Sequence, residues 1–64
     1  MQEGDVVAIP GSDDEWLVVE VEMANDPSLG CQLDMGRYTV LRRDGTEIAN
    51  HPGYLMTFIR KLHA

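Results

Sequence analysis

Along this 64-residue chain the apolar positions come in short runs, and most runs end at a cluster of turn residues. Val6-Val7-Ala8-Ile9 follows Gly4-Asp5 and stops at Pro10-Gly11, after which Ser12-Asp13-Asp14-Glu15 supplies turn chemistry. This predicts strand, turn, strand. From Trp16 to Met23 the odd positions Leu17, Val19, Val21 and Met23 are all apolar, while the even positions pass from Trp16 and Val18 to Glu20 and Glu22. Period two marks a strand with one buried and one wet face, so the odd set is expected to face the core.

Residues 24–36 have no period and contain one proline and two glycines, which predicts a long loop. At thirteen residues it exceeds the usual hairpin connection, and loops of this kind tend to be functional or mobile. Its apolar residues Leu29, Cys31, Leu33 and Met35 must either tuck under the sheet or sit out as a partner site.

Arg37–Arg43 and Thr46–Asn50 meet across Asp44-Gly45, the strongest hairpin signal in the chain, because a type I′ turn needs positive φ at both central positions. A two-residue loop would pair Arg43 with Thr46, Arg42 with Glu47, Leu41 with Ile48 and Val40 with Ala49. Arg42 would then be the structural partner of Glu47, and Gly45 would hold a positive φ. The last segment admits two patterns. Leu55, Phe58, Ile59 and Leu62 fit a short amphipathic helix, whereas Phe58, Arg60 and Leu62 against Ile59, Lys61 and His63 fit a strand. The reading adopted is a single helical turn over Tyr54 to Met56 followed by a closing strand over Phe58 to Leu62, since a fifth strand shortens the exposed edges of a small sheet.

Composition bounds the answer. A chain of 7.2 kDa with 44% hydrophobic residues folds as one domain, residues 1–64, and leaves no room for a two-domain enzyme with an interdomain cleft. Five Lys and Arg against 11 Asp and Glu give a net charge of -6. The first 34 residues hold nine of those acids and no Lys or Arg, so the chain is electrically polarised, with an acidic first half suited to a basic partner or to a head-to-tail contact. The single cysteine, Cys31, excludes an intrachain disulfide and points to a reducing compartment, and no apolar run approaches a membrane span. A cytoplasmic protein without membrane association is expected.

Gly4-Asp5-Val6-Val7, Trp16-Leu17-Val18-Val19-Glu20-Val21, Arg37-Tyr38-Thr39-Val40 with Asp44-Gly45-Thr46-Glu47, and Tyr54-Leu55 with Phe58-Ile59-Arg60-Lys61-Leu62 together resemble the SH3-like small β-barrels over nearly the whole chain. The resemblance implies an all-β fold of about five short, strongly bent antiparallel strands with one helical turn near residues 54–56. Within that superfold, Gly4-Asp5-Val6-Val7-Ala8-Ile9-Pro10-Gly11 resembles a KOW motif, whose members contact nucleic acid or the transcription and translation machinery. The turn that follows is the acidic Ser12-Asp13-Asp14-Glu15 where such motifs carry a basic segment. Tudor-type relatives hold methylated side chains in an aromatic cage, for which Trp16, Tyr38, Tyr54 and Phe58 are the available aromatics, although a barrel this small needs its aromatics as core.

No catalytic, cofactor or metal site is expected. Cys31, His51 and His63 lack metal-ligand spacing, and His51 before Pro52 reads as a turn cap. A thiol in an acidic half is a poor nucleophile, and Asp13, Asp14 and Glu15 read as a solvated turn rather than an acid/base pair. The functional expectation is a small non-enzymatic acidic binding module or regulator, the accessory protein of a bacterium or phage. It would engage a protein partner through Asp13, Asp14, Glu15, Asp26, Leu29, Leu33, Asp34 and Met35, with a homo-oligomer as a further option for so small a core. The alternative is nucleic-acid binding through Arg37, Arg43, Arg60 and Lys61, which requires those four to be contiguous and to act against the overall negative field.

Overall fold

The computed structural model describes residues 1–30 and 32–62, so expectations resting on Cys31 and His63 lie outside the described residues. The chain is all-β. Five strands, β1 (Asp5–Ala8), β2 (Glu15–Met23), β3 (Arg37–Arg42), β4 (Glu47–Pro52) and β5 (Thr57–Lys61), form one antiparallel sheet in the order β4-β3-β2-β1-β5. A 3-10 turn over Gly53–Leu55 precedes β5, one residue earlier than the helical turn expected from the sequence. Another 3-10 turn, Pro27–Leu29, lies in the long loop. The sheet is open, with β4 and β5 as its two edges.

The core lies on one face of this sheet and consists of Val7, Ile9, Trp16, Val18, Tyr38, Val40 and Met56, with Met1, Val21 and Ile48 packed against it. This corrects the expected orientation of β2. Trp16 and Val18 point inward, Leu17 and Val19 are half-buried on the other face, and Met23 is exposed. All four residues from Trp16 to Val19 are apolar, so alternation there does not choose a side. The indole decides it by its size, and its N–H finds Ser12 Oγ at 3.1 Å. Two bulges then reset the parity. Val18 and Glu20 oppose Val40 and Thr39, so Val19 is the extra residue; Val21 and Met23 oppose Tyr38 and Arg37, so Glu22 is the second. The first bulge is what brings Val21 back to the core, three residues after Val18.

The β3–β4 hairpin also departs from expectation. Arg42 N–H donates to the Thr46 carbonyl and Gly45 N–H to the Arg42 carbonyl, which makes the loop three residues, Arg43-Asp44-Gly45, rather than two. Gly45 is at φ 95°, as expected, in the left-handed position that ends such a loop. Asp44 Oδ1 accepts the Thr46 N–H, and this side-chain turn fixes the longer loop. The register consequently moves by one: Leu41 opposes Glu47 and Val40 opposes Ile48, which sets Ile48 rather than Ala49 against the core. Arg42 therefore pairs with Asp44 in a two-bond fork, approaches Asp14 at 3.6 Å and lies over the Trp16 ring at 5.4 Å; Glu47 is not its partner. His51 lies within β4 opposite Tyr38 instead of capping a turn.

Candidate functional site

The residues expected to meet a partner fall at two opposite ends of β2. Asp13 and Asp14 precede it and Glu15 opens it, whereas Asp26, Leu33, Asp34 and Met35 follow it, roughly 25 Å away along a strand of this length. They do not form one surface. The first group is tied to cations: Glu15 takes both Arg60 Nη atoms at 2.8 and 2.9 Å, which holds its carboxyl below the usual range, and Asp14 faces Arg42. Asp13 is exposed.

The second group is built around Tyr38. Its ring is wholly buried, and its hydroxyl reaches Asp34 at 2.9 Å. Asp34 Oδ1 also accepts the Gly36 N–H at 2.8 Å, and Oδ2 meets the Met1 α-ammonium at 3.0 Å. Burial opposes ionisation of Asp34, but these donors outweigh it and keep its pKa below the ordinary 3.8. Burial and the neighbouring carboxylate push the Tyr38 hydroxyl well above its usual value. Two glycines make room for this cluster. A Cβ on Gly36 would lie 2.5 Å from the Tyr38 hydroxyl, and one on Gly53 would lie 2.6 Å from Asp34 Cγ. Gly53 N–H donates to the Gly36 carbonyl, so the turn before β5 is pinned to the end of the loop.

With Asp34 turned inward, its apolar neighbours turn outward: Leu33 is 57% exposed and Met35 42%. Met35 is held there by its own N–H, which donates to Asn25 Oδ1 at 2.9 Å. Upstream, Asp26 caps the Pro27–Leu29 turn by accepting from the Ser28 N–H and hydroxyl, which keeps it ionised, and Gly30 closes the turn at φ 76°. Leu29 ends that turn, and its side chain lies outside what is described. Three residues absent from the sequence-based set join Leu33 and Met35 at this end. Met23 opposes Arg37 at the start of β3, and Tyr54 and Leu55 follow the pinned Gly53; all three are exposed. Nothing in the sequence pattern marked them, because Met23 closes an alternating strand and Tyr54 reads as core. Methionines suit such a rim, since a flexible, polarisable side chain adapts to more than one surface.

Beside the rim, the wet face of β2 carries an acidic trough lined by Glu3, Glu20, Glu22 and Glu47 with no cation among its lining residues. Glu22 accepts from the Thr39 hydroxyl and the Asn50 N–H, which stabilise its charged form without neutralising it. The basic residues are arranged differently. Arg60 is bonded to Glu15, Lys61 Nζ to Asp5 at 2.7 Å, and Arg37 stands at the opposite end of β3 from Arg43, so the four do not make one patch. Trp16 and Tyr38 are core while Tyr54 and Phe58 are exposed, which leaves no aromatic cage. Among the described residues, no group of three His, Cys, Asp or Glu is placed to hold a metal ion, and no helix is long and apolar enough to cross a membrane. No protein-family model, curated protein or solved structure gives a significant match to this chain.

Proposed function

We propose that this chain is a small non-enzymatic binding module of SH3-like type that engages a basic protein partner through the end of the long loop. The five antiparallel strands, with bulges in β2, β4 and β5, and the 3-10 turn before β5 support the SH3-like reading. The observation that carries the function is the inversion at residues 33–35, where a polar side chain is spent on the interior and two apolar ones face water. A loop held by Asp34, Asn25 and Gly53 offers Leu33 and Met35 in a fixed setting, so a partner meets apolar surface without first ordering it. The trough of Glu3, Glu20, Glu22 and Glu47 next to Met23 selects a partner with lysine or arginine beside its apolar residues and speeds the encounter.

The test is capture of partners from extract on the immobilised wild-type chain and on Leu33→Asp/Met35→Asp, each with and without nuclease. The expected result is a protein retained by wild type, insensitive to nuclease and lost on the variant. Retention that vanishes with nuclease, or that the variant leaves intact, contradicts the proposal.

A further inference from the structure

The sheet face opposite the core carries a second surface, which shares Glu47 with the acidic trough. Strand pairing aligns Glu47 with Leu41, Leu41 with Leu17, Leu17 with Val6 and Val6 with Arg60. Directly opposed residues share a face, so these five form one row across all five strands, roughly 19 Å wide at the usual strand spacing. The row has an acid at one edge, a base at the other and three aliphatic residues between, of which Leu17, in the middle, and Leu41 are half-buried and Val6 is buried. Most of it floors an open groove of about 500 Å³ lined by Val6, Leu17, Leu41 and Leu62, with Asp13, Asp14 and Glu15 matched by Arg42, Arg43 and Arg60. In a chain of net charge -6 this groove is locally neutral.

A row that is apolar at its centre and opposite in sign at its ends is complementary to itself after a half-turn about its centre. We propose that this face binds a second copy of the chain, with a two-fold axis running along β2. The axis exchanges β3 with β1 and β4 with β5. It sets Leu17 on its counterpart, Leu41 over β1 of the second copy, and Glu47 on Arg60, twice. Arg60 uses one N–H of each terminal nitrogen on Glu15, and its remaining donors are available to a second carboxylate. Leu62, 56% exposed, is covered in the process. Sheet edges serve less well, because both edge strands are bulged: Ile59 is the extra residue in β5, and Asn50 stands at φ 57° in β4.

Sedimentation equilibrium on wild type, Glu47→Lys, Arg60→Glu and an equimolar mixture of the two variants tests this, with circular dichroism confirming that each remains folded. Wild type is expected at twice the 7.2 kDa chain mass. Each variant alone sets like charges together at two places and should associate at least about tenfold more weakly. The mixture should recover the dimer, because the reversed charge at position 47 of one chain then meets the reversed charge at position 60 of the other, and the native pair forms at the opposite end. A monomeric wild type would leave the groove for a different occupant and overturn the proposal. So would a dimer indifferent to both variants, or a mixture that stays monomeric.

Discussion

Tyr38 and Leu33 stand five residues apart and meet opposite fates: the tyrosine is wholly buried, whereas the leucine is more than half exposed. In β3 the ladder fixes which way each side chain points, and the core takes what faces it. In the loop, where no ladder exists, hydrogen bonds donated to Asp34 and to Asn25 set the frame, and burial of apolar groups yields to satisfaction of polar ones. Apolar character therefore predicts burial in β1, β3 and the first half of β2, and fails in the loop, at Met23 and along β5, where Phe58 and Ile59 are exposed.

The largest way to break this contrast is Tyr38→Ala, which empties the middle of the core and removes a hydroxyl partner from Asp34. A loss of about 3–5 kcal/mol is expected, enough to unfold much of so small a domain at room temperature, read as loss of the cooperative thermal transition. Next comes Asp34→Ala, which leaves the Gly36 N–H and the Tyr38 hydroxyl without their acceptor and should cost about 1–3 kcal/mol in a urea titration. The pH dependence sharpens the point. Asp34 and Asp5 both have depressed native pKa values, Asp5 because Lys61 and the Gln2 N–H outweigh its burial. Their contribution is present above the ordinary 3.8 and is lost as pH falls through the lower native values. Asp34→Asn should therefore flatten the acid limb of stability against pH, and an unchanged limb would remove Asp34 from the account. Gly45→Ala places a side chain at φ 95° and should cost on the order of 1 kcal/mol by thermal melting.

How far the sequence foretold this arrangement depends on whether local or long-range chemistry decides each position. Gly45 was legible because Asp-Gly between alternating runs demands a positive φ, and the turn before β5 was legible from Pro52-Gly53. The hairpin register was not, because it turned on Asp44 accepting the Thr46 N–H. The facing of β2 was hidden for a related reason: Trp16 to Val19 are apolar on both faces, and bulges at Val19 and Glu22 leave no mark in composition. In the loop, missing periodicity pointed to Leu33 and Met35 as residues apart from the core pattern. The inward turn of Asp34 depends on the Met1 ammonium and the Tyr38 hydroxyl, and the placing of Tyr54 and Leu55 on the bond from Gly53 N–H to the Gly36 carbonyl, partners that only the folded chain brings together.

The inversion at residues 33–35 is tested most directly by melting two proteins side by side, Asp34→Ala and the double variant Leu33→Ala/Met35→Ala. Exposed side chains away from caps and cores usually change stability by no more than about 0.5 kcal/mol, so the double variant should melt close to wild type while Asp34→Ala melts well below it. The reverse order, with the two apolar truncations melting early and the aspartate replaced without loss, would place Leu33 and Met35 in the core and contradict the account.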